Sequence, residues 1–353
     1  MYIRATGNIS PQRTFGHPAF LNEALEYKGN RLHCAEPDYR QVIDVKYIRR
    51  MSRIIKMGVA AALECLQEAV LVNPGAIITG TAYGCLEDTG IFIKKLVENN
   101  EEMLTPTAFI QSTHNTIGAQ IALILSCNHY NNTFVHKGFS FETALLDAML
   151  LLKENEAENV LIGAADEITD YSHDILSRFG LYKANLSSNL DLYNDHSKGT
   201  IAGEGASFFV LSNQSSQTDY AVLDAMTTFY KPQDTATIKE YIKEFLKANE
   251  TTPEEIDLVI DGRSGDEKGD RVYKELSADI FFSNATQISY KHLCGEYPTA
   301  TSFALWAAAN ILKHKSIPSV FLNQSDTGKH TRKILIYNHY LQVHHSLYLL
   351  SAC

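Results

Sequence analysis

Asn159-Val160-Leu161-Ile162-Gly163-Ala164-Ala165-Asp166-Glu167 joins a bulky apolar run to small residues and then to two carboxylates. An apolar run without polar alternation reads as a strand covered on both faces. Glycine and alanine at its end let other backbone approach closely. Immediately upstream, Phe141 to Lys153 predicts a long helix, and Asn132-Thr133-Phe134-Val135 a strand before it. Helix between strands is the crossover unit of an α/β protein.

Working outward, Tyr2 to Thr6 predicts a strand stopped by Gly7, and residues 12–45 a loop-rich stretch. Ile48, Met51, Ile54, Ile55, Val59 and Leu63 recur at helical spacing from Tyr47 onward. Gly75 to Thr81 predicts a buried strand, Leu86 to Val97 and Thr116 to Leu125 helices, and Gly205 to Leu211 a strand. The polar residues 213–218 break the chain into an N-terminal half, 1–212, and a C-terminal half, 213–353. The second half echoes the first. Val222 to Asp224 predicts a strand, Ala236 to Ala248 a helix, and Asp257 to Asp261 a strand entering a Gly/Ser loop. Loop Leu293 to Pro298, helix Ala300 to Leu312 and strand Pro318 to Leu322 then match residues 137–163 in outline. A repeat this long means a duplicated domain. Pattern alone leaves a doubly wound single sheet open.

Composition excludes several classes. Of 353 residues, 45% are hydrophobic and 20% charged, which is globular rather than disordered. A net charge of −10 argues against a nucleic-acid surface. No apolar run is long enough to cross a membrane, and the N-terminus lacks the pattern of a secretion signal. Six scattered cysteines without C-x-x-C spacing read as buried thiols of a reduced cytoplasm.

Several stretches, in shared order and spacing, resemble the β-ketoacyl synthases over nearly the whole chain. They are Tyr2 to Pro11, Arg49-Arg50-Met51, Thr79-Gly80-Thr81-Ala82-Tyr83-Gly84, Val160 to Glu167, and Gly203-Glu204-Gly205-Ala206. The resemblance implies a thiolase-like, five-layered αβαβα fold of two like halves. It also implies a dimer with an acyl tunnel near the subunit interface.

Condensing thioesters requires a thiolate, promoted by a helix N-terminus, and two imidazoles that assist decarboxylation and hold the enolate oxygen. Counting back without gaps from Val160 places Phe139 at the family's cysteine position; a slip of one residue gives Gly138 or Ser140. Ser140 has no neighbouring base to activate it. The loop Gly262-Arg263-Ser264-Gly265-Asp266-Glu267-Lys268-Gly269-Asp270 resembles the family's first histidine loop, with Gly262 at the histidine. Lys291-His292-Leu293-Cys294-Gly295-Glu296 keeps the lysine of the second motif, Lys291, and puts Glu296 where its imidazole belongs. The family's closing Gly-rich turn is replaced by Asn338-His339-Tyr340-Leu341. Each lost group is typically worth ~10²–10⁴ in rate.

The resemblance therefore implies a chain-length-factor-like subunit: a non-catalytic partner of an active synthase, shaping the tunnel for a chain carried on an acyl carrier protein. Phe109, Gln111 and Thr113 resemble the segment that reaches the interface and tunnel, with simple core packing as the plainer alternative. The run from Gly84 through Asn115 looks like the subset in aryl-polyene and flexirubin-type pigment pathways. Lys46, Arg49, Arg50, Arg53 and Lys56 form a basic face at helical spacing, and in the family the residues matching Arg49 and Arg50 help dock the carrier protein. A solvated helix face is the alternative. No cofactor and no metal site is expected, since neither His344-His345 nor Asp266-Glu267 has ligand spacing. Two other readings stay open: an enzyme using relocated groups such as Cys85, His114 or His136, and a stand-alone acyl-binding protein.

Overall fold

The computed structural model describes residues 1–17, 20–278, 285–322 and 330–353. The strands are β1 (Tyr2–Ile9), β2 (Ala76–Gly80), β3 (Tyr130–Phe134), β4 (Asn159–Asp166), β5 (Gly205–Ser212) and β6 (Ala221–Tyr230). After these come β7 (Leu258–Asp261), β8 (Thr286–Ser289), β9 (Lys333–Tyr340) and β10 (His344–Ser351). Before β6 lie helices α1 (Val45–Ile48), α2 (Arg53–Glu68), α3 (Leu86–Glu98), α4 (Pro106–Gln111), α5 (Thr116–Leu125), α6 (Ser140–Lys153) and α7 (Asp170–Arg178). After it come α8 (Thr235–Ala248), α9 (Arg271–Ser277), α10 (Lys291–Cys294) and α11 (Thr301–His314).

The strands run in the order β3-β2-β4-β5-β1-β6-β10-β9-β7-β8. Read outward from the β1–β6 seam, the two runs of five are copies: β6 stands for β1, β10 for β5, β9 for β4, β7 for β2 and β8 for β3. Directions repeat as well. β2 is parallel to β3 and β4, as β7 is to β8 and β9. β5 and β10 are antiparallel to their neighbours. The seam itself has only two rungs, Tyr2 with Val222 and Ile3 with Ala221.

Three helical layers cover these sheets. On one side α2 and α5 pack Ile54, Met57, Ala61 and Ile121 on Ala5, Leu161 and Phe208. In the centre α6 and α11 are shared, their Phe141, Leu145, Phe303 and Ile311 joining one cluster with Ile162 and Phe209 of the first half and Ile336 and Tyr348 of the second. On the far side α8 and α9 pack Ile238, Ile242 and Tyr273 on Leu335 and Leu347. The arrangement is αβαβα, as expected. Residues Thr301 to Leu312 of α11 are buried all round, as a helix clasped by two sheets must be.

Four local expectations are corrected. β1 continues through Gly7 to Ile9, because this glycine is a point of close approach: a Cβ there would lie 2.0 Å from the Ala61 carbonyl oxygen. The helix expected from Tyr47 is two helices broken at residues 49–52, with Ser52 extended at the start of α2. β6 runs to Tyr230, well past Asp224. Pro318 to Leu322 is not a strand: residues Ser319–Phe321 make a 3-10 turn whose Phe321 plugs the central core, and β9 is the strand beside β7. Of the cysteines, expected to be buried, Cys353 is exposed and Cys34 half-buried, and all six are free thiols. Among the described residues no helix is long and apolar enough to cross a membrane.

Candidate functional site

The head of α6 lies where β3 ends. Lys137 takes a left-handed turn (φ 46°), residues Lys137–Phe139 make one 3-10 turn, and α6 begins at Ser140. The Ser140 hydroxyl is committed to that turn, accepting from His136 N–H at 2.8 Å and donating to the Lys137 carbonyl at 2.9 Å. The Phe139 ring is half-buried, stacked on His136 at 5.6 Å and met edge-on by His344 at 4.7 Å. Tyr340 covers Gly138: a Cβ at Gly138 would lie 2.8 Å from both Tyr340 Cβ and Cδ1. Whichever of Gly138, Phe139 and Ser140 corresponds to the nucleophile, none presents a reactive group.

Gly262 follows β7. A Cβ there would fall 2.1 Å from Asn338 Oδ1 and 2.7 Å from the Tyr273 hydroxyl, so no side chain fits. Asn338 is held in turn by the buried Tyr290 hydroxyl at 3.0 Å. The loop beyond is fixed by Asp270, which accepts the N–H groups of Ser264 and Gly265 at 2.8 and 2.9 Å and is pushed up to about 6 by burial. It is fixed also by Lys183, a fully buried ammonium donating to the carbonyls of Asp195, Ser197 and Gly265.

Lys291 and Glu296 face each other across the second loop, Nζ to Oε2 at 2.6 Å. Burial outweighs the neighbouring ammonium and pushes the Glu296 carboxyl up. Glu296 lines a cavity of about 390 Å³ together with Tyr83, Tyr340, His339 and Asp266. Its rim carries exposed Phe179 and Leu341. His339 is buried, bonded to the Gly269 carbonyl at 2.9 Å, and pushed down to about 3, so it is a neutral imidazole. His292 is likewise buried and neutral, pushed down to about 4, and held by the Val320 carbonyl at 2.9 Å. Glycine packs on glycine where this loop meets the Gly203-Glu204-Gly205 turn: a Cβ at Gly295 would lie 2.4 Å from Gly203 Cα.

Sequence reasoning singled out Phe139, Gly262, Glu296 and Lys291 but gave no role to Tyr340, Asn338, Tyr83 or His339. Asn338, His339 and Tyr340 were signalled only by the loss of the family's Gly-rich turn, and Tyr83 only by its place in the Gly-rich run after β2. The relocated groups do not form a constellation. Cys85 Sγ is buried, and burial together with Asp88 and Glu167 pushes its thiol well above the ordinary range. His114 and His136 are exposed. Among the described residues no group of three His, Cys, Asp or Glu side chains is placed to hold a metal ion.

The basic face expected at residues 46–56 is not one face. Arg49 and Arg50 are exposed in the link between α1 and α2, while Arg53 turns inward to Glu204 and Glu36. Phe109, Gln111 and Thr113 lie on and just after α4, away from the cavity. Phe109 is 58% exposed beside Phe92, the Gln111 amide donates to the Arg50 carbonyl, and Thr113 donates to the Ile110 carbonyl. Neither α3 nor α4 buries a residue within this chain, although Ile91, Ile93, Val97 and Ile110 are large and apolar.

No curated protein matches the sequence. Solved structures do. The ishigamide ketosynthase/chain length factor is 17% identical with a TM-score of 0.82, covering 100% of this chain and 98% of that one. A ketosynthase (ApeO) in complex with its chain length factor (ApeC) from Xenorhabdus doucetiae gives 14%, 0.75, 100% and 98%. A type II polyketide-synthase acyl carrier protein in complex with its ketosynthase gives 17%, 0.70, 100% and 99%. The chain thus has the thiolase-like fold of the β-ketoacyl synthases, and through residues 32–184 it matches the family described as beta-ketoacyl synthase, N-terminal domain.

Proposed function

We propose that this protein is a chain-length-factor-like subunit that does no condensation itself, pairs with an active β-ketoacyl synthase and shapes the tunnel for the growing acyl chain. The observation that carries the reading is the filled space at Gly262, where Asn338 and Tyr273 leave no room for an imidazole. Tyr340 over Gly138 and the Lys291–Glu296 pair support it at the other two positions. Without a thiolate no acyl intermediate forms, and without imidazoles the enolate has no donor.

The uncovered apolar faces of α3 and α4 support a permanent partner, because exposed apolar area of this kind marks an interaction surface. Likeness to a ketosynthase with its chain length factor supports a synthase as that partner. In this reading Phe109, Gln111 and Thr113 sit at the joint face, and Arg49 and Arg50 are free to meet an acidic carrier protein. The sequence of residues 84–115 supports a polyene chain of the aryl-polyene or flexirubin type. The relocated-enzyme alternative is opposed by Cys85, whose burial and carboxylate neighbours, Asp88 and Glu167, disfavour the thiolate a nucleophile needs.

Co-expression with a cysteine-bearing synthase, followed by mass measurement of the intact complex, tests the proposal. A one-to-one assembly that extends malonyl units is the expected result. Acyl loading and extension by the purified chain alone would overturn it.

A further inference from the structure

Lys183 lies just beyond α7 with its side chain wholly enclosed. Its backbone N–H donates to the Thr200 carbonyl at 2.8 Å, so residues 184–199 form a loop closed at its base. The ammonium is held by that loop and by Gly265 of the C-terminal half. Five oxygens surround it. They are the Asp195 carbonyl at 3.0 Å and Oδ1 at 3.3 Å, the Ser197 carbonyl at 2.8 Å and Oγ at 3.2 Å, and the Gly265 carbonyl at 2.9 Å.

An ammonium has three N–H groups, too few to point one at each of five oxygens. A shell made mostly of carbonyls is what replaces the water around a bare cation. No other donor among the described residues reaches these three carbonyls, so each depends on the positive charge. The oxygens lie too far out for calcium, which is held at roughly 2.3–2.6 Å, and one carboxylate balances one positive charge.

We infer that Asp195, Ser197 and Gly265 build a monovalent-cation site, which the chain fills with its own Lys183 in place of a free ion. A tethered ion is never diluted away. It fastens residues 195–197 to Gly265, and the two stretches meet again where Gly199 N–H donates to Asp266 Oδ1 at 2.7 Å. Lys198, Thr200, Ser264 and Asp266 of these stretches line the cavity beside Glu296, so its wall keeps its shape in any salt.

Lys183→Ala empties the site, and calorimetric melting of the full chain tests the assignment. The quantity read is the gap in melting temperature between variant and wild type in the same solution. In tetramethylammonium chloride, whose cation is bulky and has no N–H, the gap should be at least about 5 °C. Potassium or propylammonium chloride should at least halve it, saturably, as a ligand of the folded state does. 1-Propanol refills the hole without charge and should not. With Asp195→Asn added, the same recovery should need several times more cation.

Four outcomes would overturn the assignment: no gap in tetramethylammonium, a gap that neither cation narrows, propanol matching the better cation, or an unchanged cation requirement in the double variant. Where Lys183→Ala does not fold unaided, the soluble yield on refolding from urea in each solution decides in the same way.

Discussion

Arg53 grips Glu204 with both terminal nitrogens, Nη1 donating to Oε2 at 2.7 Å and Nη2 to Oε1. The carboxylate is wholly enclosed and also accepts the N–H groups of Cys34 and Ile168, each at 2.9 Å. Burial alone would push Glu204 up, but hydrogen bonds from His33 and Arg53 and the guanidinium's charge bring it down to about 2. Removing Arg53 leaves an enclosed charge held only by the Cys34 and Ile168 N–H groups and by His33. Arg53→Ala should cost about 3 kcal/mol, and Arg53→Lys should recover part of it, since a single ammonium cannot reproduce the fork. Urea denaturation decides this, and a loss under about 1 kcal/mol would mean that water takes the guanidinium's place.

Glu167, at the exit of β4, titrates the other way. It accepts Glu87 N–H at 3.0 Å, yet burial pushes it up to about 7. Between the ordinary carboxylate range near 4.5 and pH 7, the folded chain keeps a proton that the unfolded chain has lost. Its contribution is therefore fully present below pH 4.5 and disappears as pH rises to 7, by up to about 3 kcal/mol. Glu204 has the opposite sign, its contribution present above pH 4.5 and lost as pH falls toward 2. The wild type should gain less stability than Glu167→Gln on going from pH 5 to pH 7.5. Equal pH slopes for the two proteins would refute the assignment.

The crowding at Gly262 predicts a measurable coupling. Gly262→Ala forces a methyl against Asn338 Oδ1 and should cost about 2 kcal/mol. In an Asn338→Ala background the same change should cost less, by at least about 1 kcal/mol, with only the Tyr273 hydroxyl left in the way. A double-mutant cycle reads the difference, and additive costs would show that Asn338 does not fill the space.

Phe109→Asp tests the uncovered face. With its ring 58% exposed, the substitution should leave the melting temperature of the isolated chain within about 2 °C, since exposed positions rarely matter to stability. It should loosen the complex with the synthase at least about tenfold, as loss of an aromatic anchor does. Sedimentation of both complexes measures this, and an unchanged affinity would remove Phe109 from the interface.

The fold was largely legible because its central pieces are strong signals. The runs at β4 and β5 and the periodicity of α5, α6, α8 and α11 survive in the structure almost residue for residue. Misreading arose where a short apolar run had two solutions. Pro318 to Leu322 looks like a strand, but Phe321 and the preceding Ile317 anchor a turn in the central core, which periodicity cannot distinguish over five residues. The break between α1 and α2 was invisible for a related reason: Met51 and Ile54 are both buried, so the apolar spacing continues across a gap in the helix. Arg53 kept helical register with Arg49 and Arg50, and only the distant Glu204 reveals that it points inward. The positions proposed to have lost the condensing groups, Phe139, Gly262 and Glu296, are marked in the sequence by local motifs alone. The side chains packed on Gly138 and Gly262 were not legible, because Tyr340 and Asn338 arrive from a strand some two hundred and some seventy-five residues further along the chain, respectively.

The seam of two backbone rungs has a mechanical meaning. So little main-chain bonding joins the strand sets that their union rests on side chains packed around α6 and α11. Neither piece keeps a dry interior if severed, so a fragment ending near Ser212 would bare the inner face of α6 and clump. The intact polypeptide is then expected to melt as one cooperative unit, duplicated in ancestry but indivisible in calorimetry.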